Sequence, residues 1–129
     1  MNYPADLKYA KSDEWIRVEG DSATIGVSDF AQSELSDVVY VEMPSVGDAF
    51  TAGQAFGSVE SVKAASDVYL PVAGAVTAVN DELASKPELI NSDPYGHGWI
   101  VKVKITDAAN LGNLLDAAAY EKFCEERKH

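Results

Sequence analysis

The sequence predicts a small, mostly-β domain, closed or sandwich-like, with short helices and a C-terminal helix appended. Three observations carry this. Short runs rich in β-branched and aromatic residues recur along the chain, bounded by Gly, Pro and Asp. Helical apolar periodicity emerges clearly only near the C-terminus. The 129 residues, 47% of them hydrophobic, suffice for one core and leave little room for a second. Residues 1–129 are therefore read as a single domain.

Taken in order, residues 14–19 and 22–27 read as strands around Gly20-Asp21, a hairpin turn signal. Residues 28–35 open with capping residues and suit a short helix. The run 38–43 is a strand stopped by Pro44. Further β-rich runs follow at 55–60, 68–72, 75–79 and 99–105, punctuated by Pro71, Gly74, Asp93-Pro94 and Gly96-His97-Gly98. Ser85-Lys86-Pro87-Glu88 is a capping-box pattern that predicts a short helix carrying Leu89 and Ile90. Tyr120, Phe123, Cys124 and Arg127 fall at i, i+3, i+4 and i+7, which predicts an amphipathic helix over about 116–127.

Charge narrows the function classes. Lys plus Arg is 10 and Asp plus Glu is 21, a net charge of −11. Such a surface repels phosphate backbones and anionic lipid, so neither a nucleic-acid nor a membrane partner is expected. No apolar stretch approaches the roughly 18 residues that span a bilayer. The first residues lack the basic and apolar regions of a secretory signal, which predicts a cytoplasmic location, or the mitochondrial matrix if a transit peptide has been removed. The single Cys124 has no disulfide partner and sits on the apolar stripe of the last helix, where it reads as buried filler. His97, His129 and Cys124 are not at ligand spacing, so no metal site is expected. Gly-x-Ser-x-Gly and phosphate-loop patterns are absent, and Gly96-His97-Gly98 lacks the third glycine of a dinucleotide fingerprint. No self-contained enzyme is visible.

What stands out is one lysine. Between Val18 and Ser85 the only basic residue is Lys63, against 11 acids. It lies between two β-rich runs, in Glu60-Ser61-Val62-Lys63-Ala64-Ala65-Ser66-Asp67, where small residues leave the amine open to a modifying enzyme. From this pattern alone, an ordinary solvated hairpin lysine is the favoured reading.

That segment resembles the lipoyl-attachment region of the glycine cleavage H-protein family. The resemblance runs over nearly the whole chain, through Ser12-Asp13-Glu14-Trp15, Phe30-Ala31-Gln32, Val46-Gly47-Asp48, Phe56 to Asp67, Pro71-Val72-Ala73-Gly74 and Asn91 to Trp99. It implies a lipoyl/biotinyl-carrier-like β sandwich-barrel hybrid with a lysine-bearing hairpin. It also implies lipoate joined to Lys63 by an amide, and a non-catalytic carrier whose chemistry belongs to the cofactor. The implied partners are a glycine decarboxylase (P protein), an aminomethyltransferase (T protein), a dihydrolipoamide dehydrogenase (L protein), and a lipoate ligase or lipoyl/octanoyl transferase. In that family an aminomethyl group passes from decarboxylase to transferase and on to tetrahydrofolate. Ser12, Glu14 and Asp67 are implied to line a cleft that shelters this cationic group.

The chain departs from the commonest pattern at Asp13, Phe30 and His97, where other residues are usual, and Asp13 adds negative charge beside the implied cleft. Two alternatives remain at this point. One is an H-like lipoyl donor or sulfur carrier outside glycine cleavage. The other is an unmodified acidic β module that docks basic partners. Val62-Lys63-Ala64 fits poorly with the Met-Lys-Met of biotin carriers and the Asp-Lys-Ala of 2-oxo-acid dehydrogenase domains.

Overall fold

The computed structural model describes residues 1–127. The chain order is β1 (Lys8–Tyr9), β2 (Glu14–Glu19), β3 (Ser22–Val27), α1 (Asp29–Leu35), β4 (Val38–Glu42), β5 (Ala49–Phe50), β6 (Ala55–Ser61), β7 (Ala65–Tyr69) and β8 (Gly74–Val79). It continues through α2 (Glu82–Ser85), α3 (Leu89–Ser92), β9 (Val101–Ile105), a 3-10 segment at Ala108–Asn113, and α4 (Ala117–Glu126). The strands form two antiparallel sheets, one ordered β1-β2-β3-β9-β8-β5 and the other β4-β6-β7. The sandwich form of the expectation holds, since the sheets stay separate and do not close.

Local chemistry explains most boundaries. Gly20, at φ +65°, supplies the left-handed turn that lets β2 pair with β3 from Glu14↔Val27 to Glu19↔Ser22. Ser28 caps α1, its hydroxyl accepting the Ala31 N–H at 3.1 Å, and Asp116 caps α4 by accepting the Ala119 N–H at 2.8 Å. At Gly57 a Cβ would lie 2.2 Å from the Glu42 carbonyl oxygen, so only glycine lets β6 pack this closely on β4.

Two expected elements are displaced. The strand expected at 68–72 is β7 at Ala65–Tyr69, because pairing with β6 (Glu60↔Ala65 to Ala55↔Tyr69) sets its register. Pro71, lacking an N–H, cannot extend the ladder, although Leu70 and Val72 are buried just beyond it. Ser85 does not start the helix that carries Leu89 and Ile90. It ends α2 instead, its hydroxyl donating back to the Glu82 carbonyl at 3.3 Å, and Glu88 takes the cap position of α3. Strands β1 and β5, two residues each, and the 3-10 segment have no counterpart in the sequence reading.

The main core lies between the sheets, with Ile16, Ile25, Val76, Val101 and Val103 of the larger facing Val41, Phe56, Val59 and Val68 of the smaller. A second cluster forms where the N-terminal segment and α4 meet Trp15, gathering Leu7, Tyr9, Phe30, Tyr120 and Cys124. Tyr9 and Tyr120 stack with ring centroids 4.6 Å apart. Cys124 is buried there as expected, and His129 lies outside the described residues. Among the described residues no helix is long and apolar enough to cross a membrane.

Candidate functional site

Lys63 occupies the tip of the β6–β7 hairpin, which Ser61 holds together. The Ser61 N–H donates to the Ala64 carbonyl at 2.7 Å. The Ser61 hydroxyl accepts the N–H groups of Lys63 (3.2 Å) and Ala64 (3.0 Å) and donates to the Ala64 carbonyl at 3.0 Å. The Val62 N–H donates to the Asp37 carbonyl at 3.0 Å, tying the tip to the segment before β4. The turn is thus fixed by its backbone while the Lys63 side chain is exposed. Its ammonium donates to the Glu34 carbonyl, 3.1 Å away in the last turn of α1.

That contact places Lys63 at the rim of a solvent-open cleft of about 140 Å³. Ser12, Asp13 and Glu14 from the β1–β2 turn form one wall, α1 forms another through Ala31, Glu34 and Leu35, and Val59, Ser66, Asp67 and Val68 from the hairpin strands complete it. The three residues implied for the cleft, Ser12, Glu14 and Asp67, therefore line one cavity with the lysine at its edge. Asp67 and Ser12 are exposed, whereas Glu14 is only 1% exposed.

Glu14 is the chemically unusual residue. Its carboxyl accepts the Tyr69 N–H at 3.1 Å and the Ser12 hydroxyl. Burial pushes its pKa from 4.5 up to about 7; these two hydrogen bonds oppose the shift, and the charge of Asp13 adds to it. A cation entering the cleft would offset the desolvation and favour the carboxylate.

Of the positions where the chain departs from the usual pattern, only Asp13 lines the cleft. Its carboxylate is paired with Arg127. Phe30 is turned into the second core cluster, and His97 sits in the loop before β9, its N–H bonded to Asp93 at 2.9 Å. Sequence reasoning missed the Glu34 carbonyl and the turn-forming hydroxyl of Ser61. The one available signal was a serine two residues before the lysine, where a side-chain turn is common. Among the described residues no cluster of three or more His, Cys, Asp or Glu side chains could hold a metal ion.

Known proteins share both the sequence and the fold of this chain. The sequence profile described as "Glycine cleavage H-protein" matches residues 7–127. The glycine cleavage system H protein of Symbiobacterium thermophilum is 56% identical over 125 residues, 97% of this chain and 98% of that protein. Its counterpart in Nitratidesulfovibrio vulgaris is 54% identical over 129 residues, all of both chains. The crystal structure of a glycine cleavage system H protein from Mycobacterium marinum superposes with a TM-score of 0.85 at 33% identity, covering 98% of this chain and 99% of that one. The profile match over residues 7–127, the relatives at 56% and 54% identity and the fold shared with the Mycobacterium marinum structure make the chain a member of the glycine cleavage H-protein family.

Proposed function

We propose that this chain is the lipoyl-lysine carrier of a glycine cleavage system, with Lys63 as the attachment residue and Ser12, Glu14 and Asp67 as the docking groups for the loaded arm. The observation that carries the reading is the placement of Lys63: an exposed amine on a rigid turn, against the rim of a cleft whose buried wall is Glu14. The residues present fit the cofactor. Ser61, Ala64 and Ala65 leave the amine accessible, and amide formation removes the ammonium that holds the side chain to the Glu34 carbonyl. When attached, the lipoyl dithiolane supplies the sulfur on which an aminomethyl group travels.

The protein's own part is to display, shelter and release. Glu14 and Asp67 offer carboxylate oxygens to the cationic cargo, Ser12 offers a hydroxyl, and Leu35, Val59 and Val68 limit water on the apolar side. A charge-assisted hydrogen bond in such a site contributes about 1.5–3 kcal/mol. The exposed acids Glu34, Asp37, Glu60 and Asp67 around the tip suit basic surfaces on the decarboxylase, the aminomethyltransferase, the dihydrolipoamide dehydrogenase and the lipoylating enzyme. The test is peptide mapping of the folded protein after incubation with lipoate, ATP and a lipoate ligase. The expected result is a single modified residue, Lys63; label on another lysine, or none, overturns the assignment.

A further inference from the structure

The C-terminal helix reaches the cleft through one carboxylate. Asp13 sits between Ser12 and Glu14 at φ +81°, a left-handed conformation in which a non-glycine residue must be held by its surroundings. Its backbone is fixed on both sides, the N–H donating to the Ala10 carbonyl and the carbonyl accepting the Ser28 N–H, each at 2.9 Å. Its side chain is held from α4. Arg127 donates to both carboxylate oxygens, at 2.5 and 3.2 Å, and the Tyr120 hydroxyl donates to one of them at 2.8 Å.

Arg127 is itself clamped. Its guanidinium lies 4.4 Å from the centroid of the Phe30 ring and 4.3 Å from that of Phe123. The chain of contacts continues into α1. Ser28 and Tyr120 share a hydrogen bond of 2.6 Å; with the Tyr120 proton committed to Asp13, Ser28 is the donor, while its oxygen caps α1. A line of polar contacts thus joins the end of α4 to the cleft wall that holds Glu14 and to the helix that forms the facing wall.

We propose that Arg127 is a positioning residue for the docking cleft: acting through Asp13, it holds the Ser12–Glu14 wall in shape and offsets the one extra negative charge on that wall. The inference rests on the arm-docking role proposed above. It gives α4 a task in the carrier's chemistry although no α4 residue lines the cleft. It also accounts for Phe30, whose ring forms one face of the seat for the guanidinium.

The charged groups that line the cleft with Glu14 are Asp13 on its own turn, Glu34 from α1 and Asp67 from β7, and the Lys63 ammonium stands at the rim on the Glu34 carbonyl. Those facing Asp13 are Arg127 and Tyr120 from α4, with Lys11 nearby over Phe123. Unpairing Asp13 would add uncompensated negative charge beside Glu14, which favours the protonated carboxyl.

The test is a carboxyl NMR titration of Glu14 in the unmodified full-length protein, for the wild type, Arg127→Met, Arg127→Lys, Asp13→Asn and the Arg127→Met/Asp13→Asn double variant. Arg127→Met keeps length and ring contact but loses the charge, and should raise the Glu14 midpoint by roughly half a unit. Asp13→Asn should lower it, the double variant, which loses both charges, should return close to the wild type, and Arg127→Lys should stay near the wild type. A purely structural role would not give opposite shifts that collapse in the double variant. An unchanged midpoint in Arg127→Met, or shifts of one sign in both single variants, overturns the proposal. The titration needs no lipoyl arm. Failure of the docking role would show separately, as an unchanged decay rate of the loaded protein when Glu14 itself is removed.

Discussion

Lys63, at the rim of the cleft, and Glu14, in its wall, are held by opposite means. At the hairpin tip the backbone is pinned by four hydrogen bonds within Ser61–Ala64, and the lysine side chain is exposed. At the cleft wall the Glu14 side chain is buried, and it accepts hydrogen bonds from the Ser12 hydroxyl and the Tyr69 N–H. In the attachment role proposed for it, the tip offers an amine to an enzyme without unfolding, which its turn geometry suits. In the docking role proposed for it, the wall holds a cation away from water, and a desolvated carboxyl is the cost. The comparison predicts that changes at the tip alter modification and leave stability nearly intact, whereas changes at the wall alter pH dependence and cargo lifetime and leave modification intact.

The sharpest way to break it is Lys63→Arg. An exposed substitution at the tip should change stability by no more than about 0.5 kcal/mol. Lipoylation should vanish entirely, because the guanidinium is not an acylation target under these conditions. Intact mass before and after ligase treatment, with a thermal melt alongside, reads both quantities. A modified arginine variant, or a large loss of stability, would contradict the separation of the two regions.

Next in size is the pH dependence of folding. Between pH 4.5 and pH 7 the native protein keeps a proton on Glu14 that the unfolded chain has released. The native state binds more protons in that interval, so this contribution to stability is fully present below pH 4.5 and declines as pH rises to 7. A shift of this size corresponds to about 3 kcal/mol. Glu14→Gln keeps the shape and can meet both partners, its carbonyl oxygen accepting the Tyr69 N–H and its amide donating to Ser12. Urea melts at pH 4.5 and pH 8 should show the variant gaining on the wild type by roughly that amount. Equal pH profiles would mean that Glu14 is solvated in solution.

A third prediction concerns the loaded arm. Glu14→Ala should leave Lys63 lipoylation unchanged and speed non-enzymatic loss of the aminomethyl group. With a contact of about 1.5–3 kcal/mol removed, the expected acceleration is roughly tenfold to hundredfold. The decay of isolated loaded protein at fixed pH, without transferase, measures it. Indistinguishable rates in folded variant and wild type would remove Glu14 from the protective role.

These tests also mark where sequence reading reached and where it stopped. The β2–β3 hairpin was legible because Gly20-Asp21 and the alternating residues around it act locally. The place of Lys63 on a hairpin was legible because it lies between two β-rich runs. The burial of Glu14 was not. It sits at the start of a strand whose first three residues are all buried, against the alternation expected of a sheet with one wet face. The second cluster covers the Trp15 side, and that cluster is assembled from residues 7 and 9 at one end of the chain and 120 and 124 at the other. No local pattern announces a contact over that separation. The same is true of Asp13, whose charge was readable from sequence while its partner Arg127, 114 positions away, was not. The misplaced capping box teaches a smaller version of the point. Ser85 has the right neighbours for an N-cap, but α2 ends on it first and takes its hydroxyl.

The smallest expected effect lies at the tip, in Ser61→Ala. The hydroxyl accepts two N–H groups and donates to one carbonyl, so its removal leaves Lys63 N–H and Ala64 N–H without a protein acceptor. Both groups are at an exposed turn, and water replaces the lost contacts, which keeps the loss to about 1 kcal/mol. The remaining bonds, Ser61 N–H to the Ala64 carbonyl and Val62 N–H to the Asp37 carbonyl, still close the hairpin. Modification should therefore remain confined to Lys63 but slow by a factor of about five, as the turn spends more time in conformations the ligase cannot use. Ser61→Thr, which keeps the hydroxyl, should recover most of the rate. Initial lipoylation rates of the three proteins at equal concentration decide the matter. If the alanine variant matches the wild type, the backbone bonds alone define the tip, and the hydroxyl of Ser61 has no part in presenting the lysine.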